Sequence, residues 1–157
     1  MSKLDYCNAI LHGSPKSSIA VLQRTQNSLA RASRITTAKV YTSATLLLHV
    51  LHWLPVEQKI QLKLAVVTYK VRSTKTPVYL HRVLPERIPT TTTLRTLRSS
   101  SRPLLGVVRT KTACGQHAFR VAAPSTLNSL PVDIQLACSL NVFERRPKRF
   151  YVWAAFD

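Results

Sequence analysis

The sequence predicts a mainly α-helical chain: a small helical bundle with an extended connector around residues 85–117. Three observations lead there. Apolar residues recur every three or four positions through most of the first 71 residues and again after 118. Prolines fall mostly at the edges of those patterned segments, where helices begin or end. Apolar residues make up 45% of the 157-residue chain, enough to bury a core, while three glycines leave little material for tight turns. The pattern divides the chain into a helical region over 1–84, a basic connector over 85–117 and a C-terminal helical region over 118–157.

Ser14 and Pro15 read as a helix start, with a capping hydroxyl ahead of a proline whose missing N–H costs nothing at the first helical position. From there Ile19, Leu22, Gln26 and Leu29 keep helical spacing, small Ser33 continues the face, and a modestly amphipathic helix is expected over 15–34. Ser43 begins a second helix whose expected stripe is Leu46, Leu47, Val50, Leu51 and Leu54. Pro55 ends it and opens a third, running to about Val71 with Ile60, Leu64, Val67 and Val71 inward and Lys59, Lys63 and Lys70 outside. Glu57 near its start and Arg72 near its end suit the helix dipole. Within LHWLPV, residues 51–56, Leu51 and Leu54 are expected inward and Trp53 between helices, so the stretch is a helix–proline–helix corner.

Pro77 opens a short helical turn through Leu84. Pro85, Pro89 and the threonines 90–93 then break the pattern, and 85–103 reads as extended, carrying Arg87, Arg95, Arg98 and Arg102. Residues 103–112, PLLGVVRTKT, are the best strand candidate, although a lone strand needs a partner. Residues 118–131 are expected helical on both sides of Pro124, with Phe119 in the core. Ser139 is a candidate cap for a last helix through Phe150, which Pro147 should kink or end at a cost of about 3 kcal/mol if it ran through.

Charge is the strongest compositional signal. Twenty-three Lys and Arg face six acids, a formal net charge of +17, and no acid occurs from Tyr6 through Val56. Such an excess favours a polyanion, nucleic acid before anionic membrane, over a merely solvated basic surface. Cys7, Cys114 and Cys138 are odd in number and widely spread, which suits a reducing, intracellular setting, nuclear or cytoplasmic. No secretory h-region follows Met1. The longest apolar run, 46–56, is about half a membrane span and holds two histidines and a proline, so no membrane partner is expected.

Several chemistries lack their residues. Two-metal nucleotidyl transfer needs clustered carboxylates, but Asp5, Glu57, Glu86, Asp133, Glu144 and Asp157 include no DD or DxD pair. No GxxxxGK[ST], GxSxG or HExxH occurs, and no thiol has a base in a recognisable arrangement. His49 and His52 on one helix face, with Cys114 and His117, are a zinc combination to weigh, but the spacing fits structural zinc poorly, and a helix-end histidine is the plainer reading. No catalytic residue, metal, cofactor or small-molecule substrate is expected.

The tail FERRPKRFYVWAAF, 143–156, alternates basic and aromatic residues. Arg145, Arg146, Lys148 and Arg149 are phosphate-contact candidates, together with Arg24, Arg31 and Arg34 on the first helix. The neighbouring aromatics are read as core in preference to base-stacking groups.

Read in order, KLDYCNAILHGSPKSSIAVLQRTQNSLAR (3–31), LHWLPVEQKIQLKLAVVTYK (51–70), PVYL (77–80), LRTLRSSS (94–101) and AFRVAAPSTLNSLPVDIQLACSLNVF (118–143) form a specific series. That series resembles the carboxy-terminal segment of the reverse transcriptase polyprotein of LINE-type (non-LTR) retrotransposons, over nearly the whole chain. The chain departs from the family pattern at Leu127, where a Trp usually precedes the Asn. The resemblance implies a helical thumb-like and post-thumb part that helps hold template and primer, following the fingers and palm that carry the paired aspartates. Asp5 is then not a catalytic residue, and the chain is a non-catalytic remnant of an RNA-directed DNA polymerase. Its implied partners are RNA or DNA, bound without sequence preference, and the palm and fingers domain. The alternative is a structural or protein-interaction module used by the host, with no nucleic-acid role.

Overall fold

The computed structural model describes residues 8–33, 43–84 and 104–156. After a 3-10 turn at Asn8–Leu11, the helices are α1 (Lys16–Ala32), α2 (Ala44–Val50), α3 (Val56–Thr74), α4 (Val78–Val83), α5 (Ala113–His117), α6 (Phe119–Asn128), α7 (Val132–Gln135) and α8 (Leu140–Phe156). The mainly α expectation holds. Among the described residues there is no strand: 104–112 run irregular, with one isolated bridge residue at Leu105. The connector's earlier part, 85–103, and Asp5, Cys7, Arg34, Glu86 and Asp157 lie outside the described residues.

Two compact units divide the chain: the described residues within Met1–Lys63 and Lys148–Asp157, and those within Leu64–Pro147. Their limits fall inside α3 and α8, whereas composition marks 84 and 117, where helix-forming chemistry changes.

In the first unit α1 packs on α2. The core is Ala30, Leu47 and Leu48, with Leu51, Trp53 and Phe156 against it. Ala30 is fully buried while Leu29 is 53% exposed, because a small side chain lets the helices approach and leaves the larger neighbour on the rim. The same rotation exposes Leu46 and Val50, both expected inside, and buries Leu47 and Leu48. Leu22 is half-buried. Pro15, not Ser14, is the N-cap of α1, and no side chain caps it. Pro15 supplies its carbonyl to the N–H groups of Ser18 and Ile19.

The corner at 51–56 forms earlier than Pro55 dictates. Helix α2 stops at Val50; the His52 N–H donates to the His49 carbonyl at 3.0 Å, and the Trp53 N–H to the Leu48 carbonyl at 2.8 Å. His52 has φ 53°, in the left-handed region. These bonds make a Schellman motif with histidine where glycine is usual, and the Trp53–Leu48 core contact closes it. Beyond it two glutamines of α1 grip the corner's backbone on either side of Pro55. Gln26 Nε2 donates to the Leu54 carbonyl at 2.8 Å, and the Val56 N–H donates to Gln23 Oε1 at 2.9 Å. The Val56 N–H is among those at the start of α3 that no carbonyl of the helix can satisfy, and Gln23 satisfies it. Leu54, Val56 and Ile60 are buried and Pro55 half-buried.

In the second unit Leu64 and Val71 of α3 pack with Leu84, Ala122 and Ala123, and Val67, Leu80 and Phe119 flank them. The alanine pair of α6 again permits close approach. Thr68, fully buried on α3, satisfies its hydroxyl by donating to the Leu64 carbonyl at 2.7 Å. Tyr69 stacks on Phe143 with centroids 4.0 Å apart and planes 8° apart, and its hydroxyl donates to the Ala137 carbonyl.

Pro124 lies inside α6, matching the helical reading on both sides of it. Of the two outcomes expected at Pro147, a kink or an end, the end does not occur: α8 runs from Leu140 to Phe156 with the proline inside it. Proline withholds one bond from the Phe143 carbonyl, but its ring is fully buried, and that packing offsets part of the loss. Ser139 does cap α8, its Oγ accepting from the Val142 N–H at 3.4 Å.

Candidate nucleic-acid interface

The structure places the candidate phosphate contacts on two helices. Arg24 and Arg31 are exposed on α1; seven residues, close to two turns, separate them, so they share one face about 10 Å apart along the axis. Val21, one turn before Arg24, is 58% exposed beside them. On α8, Lys148 and Arg149 belong to the first unit and are exposed. Arg145 and Arg146, also exposed, belong to the second. Arg146 is partly engaged already, donating to the Asp133 carbonyl at 2.8 Å. The acids among the described residues are Glu57, Asp133 and Glu144, and none lies on α1. The α1 face is therefore a run of fixed positive charge, which attracts phosphate over roughly a Debye length of about 8–10 Å at physiological salt.

The aromatics of α8 split between two environments. Phe143 is fully buried in the second unit, Tyr151 is buried in the first, and Phe156 joins the first unit's core with an edge contact to His49 at 5.2 Å. Phe150 is half-buried, edge-on to Tyr151 at 5.5 Å. Burial disfavours the charged phenolate and pushes the Tyr151 hydroxyl up to about 12. Trp153 is different: 68% exposed, against the expectation that the aromatics line the core.

The zinc combination does not assemble. His49 and His52 are exposed in the first unit, His52 held in the Schellman turn, whereas Cys114 and His117 sit on α5 of the second. Among the described residues no three His, Cys, Asp or Glu side chains cluster so as to hold a metal. No described helix is long and apolar enough to cross a membrane.

Sequence reasoning missed the polar staples of the second unit. The Leu105 N–H donates to Asn128 Oδ1 at 3.0 Å, and Asn128 Nδ2 donates to the Leu105 carbonyl at 2.9 Å, so one amide side chain imitates a neighbouring strand. That pairing anchors the segment read as a strand candidate. Gln135, buried, turns its Nε2 onto the Leu130 carbonyl at 2.7 Å and the Leu127 carbonyl at 3.1 Å, closing the end of α6. The signal was the polar Asn and Gln interrupting an apolar stretch, NSLPVDIQ. Comparisons with protein-family models, curated proteins and solved structures find no match to this chain.

Proposed function

We propose that the chain is a non-catalytic C-terminal remnant of a LINE-type reverse transcriptase polyprotein that binds RNA or DNA electrostatically. The observation that carries the family is the ordered series LDYCN, LHWLPV and AAP…NSLP. The observation that carries the binding is the +17 charge together with the exposed Arg24–Arg31 face. Chemistry is positional here: guanidinium groups donate to phosphate oxygens and release counterions, with no bond made or broken. The paired carboxylates that a polymerase needs have no counterpart among this chain's six acids.

The test is binding to labelled single strands and duplexes across a salt series, alongside primer extension on a poly-adenylate template with magnesium. Affinity should fall linearly on a log–log plot, by about 0.7–0.9 units of slope for each phosphate neutralised, and no extension product should form. Salt-insensitive binding, or none at low salt, overturns the binding reading; a product overturns the non-catalytic one.

A second reading is supported by α4, where Val78 is 56% and Tyr79 68% exposed. Apolar surface of that kind suits a structural or protein-interaction module used by the host. A chain insoluble alone and rescued by a protein partner would favour it.

A further inference from the structure

An exposed tryptophan asks for an explanation that an exposed valine does not. Its ring is the largest apolar surface a side chain carries, and most of it stands in water at Trp153 although α8 has a buried side within reach. Two residues earlier, about 200° around the helix and so on its opposite side, Tyr151 is buried. The helix is thus oriented with Trp153 away from its own unit. One turn before it, about 40° around the helix, stands exposed Arg149.

We infer that Trp153 and Arg149 form a stacking platform for an unpaired base: the indole takes the base on its face while the guanidinium holds the adjoining phosphate. This rests on the nucleic-acid reading above and narrows it to single-stranded RNA or DNA. Bases inside a duplex already have both faces stacked, so an indole gains little from them; an unpaired base offers a free face whatever its identity. Charge selects this occupant over a second copy of the chain. Each copy carries a formal net charge of +17, so two copies repel one another where a nucleic-acid strand is attracted.

The experiment uses the full chain and compares Trp153→Ala and Trp153→Phe with the unaltered protein. Probes are oligo-uridylate, oligo-thymidylate and a blunt duplex of equal length, read by anisotropy and by quenching of the tryptophan emission. Loss of the indole should weaken both single strands about 5- to 150-fold, the worth of one stacked base, while phenylalanine keeps most of the affinity. Duplex affinity, salt slope and thermal melting should stay as they were, because an exposed side chain carries little of the fold. If only oligo-uridylate or only oligo-thymidylate loses affinity, the platform stands and takes that strand alone. Unchanged single-strand affinity in Trp153→Ala overturns the platform while leaving the electrostatic reading intact. So does an equal loss on the duplex, or a dimeric unaltered protein that the substitution makes monomeric. Absence of binding to every probe at low salt overturns the nucleic-acid reading itself, and the platform with it.

Discussion

Replacing His52 with glycine should stabilise the protein, although it deletes a whole imidazole. His52 has φ 53°, and a residue with a Cβ pays roughly 1–2 kcal/mol to occupy that region. Its side chain is exposed, so truncation forfeits little packing. Glycine removes the steric cost but makes the unfolded chain more flexible, which gives back about 0.4–1 kcal/mol. The difference leaves a net gain of about 0.5–1 kcal/mol. With an m-value of about 2 kcal/mol/M, the urea midpoint followed by far-UV circular dichroism should rise by roughly 0.3–0.5 M at constant m. His52→Ala keeps the Cβ and should change stability by less than about 0.5 kcal/mol. His52→Val should destabilise, because a β-branched residue fits the left-handed region worst. If glycine proves no better than alanine, the Schellman geometry assigned to this corner is wrong, along with the account of why α2 stops at Val50.

Two further outcomes follow from single side chains. Asn128→Asp keeps an acceptor for the Leu105 N–H but turns a carboxylate on the Leu105 carbonyl, which loses its donor; a loss of about 1–3 kcal/mol and faster amide exchange at Leu105 are expected. Unchanged exchange there would show that the amide does not hold the segment. Tyr151 keeps its proton more tightly folded than unfolded, since its folded value of about 12 exceeds the ordinary 10. The stability it contributes is therefore complete below pH 10 and is lost as pH rises from 10 through 12, by up to about 2 kcal/mol. Tyr151→Phe should flatten that decline, and a phenolate absorbance midpoint near pH 10 for this residue would contradict the burial argument.

Helix existence was legible because periodicity reports burial directly: α3 has Ile60, Leu64 and Val71 buried where the spacing placed them. Which neighbour turns inward was less legible. Leu29 and Ala30 are adjacent, and hydrophobicity favours leucine, but the close packing of α1 on α2 favours the smaller residue. Proline was an imprecise guide to where helices end. At Pro55 the corner is fixed three residues earlier by a backbone motif, and at Pro147 burial of the ring carries the helix through. Neither effect is encoded in a local propensity. The basic candidates that fall within the described residues, Arg24, Arg31, Arg145, Arg146, Lys148 and Arg149, are all exposed, as charge requires. Exposure of Trp153 was not legible, because Phe143, Phe150, Tyr151, Trp153 and Phe156 crowd one helix, and only the orientation of α8 decides which of them turns outward.

The most direct measurement of the central claim compares the unaltered chain with a variant in which Arg24, Arg31, Lys148 and Arg149 are all replaced by alanine. Each is exposed, so the fold should survive the change. Binding of a single-stranded oligonucleotide across a salt series should lose about three units of log–log slope in the variant, the share of four phosphate contacts at about 0.7 each. An unchanged slope would place the polyanion contact elsewhere and contradict the account.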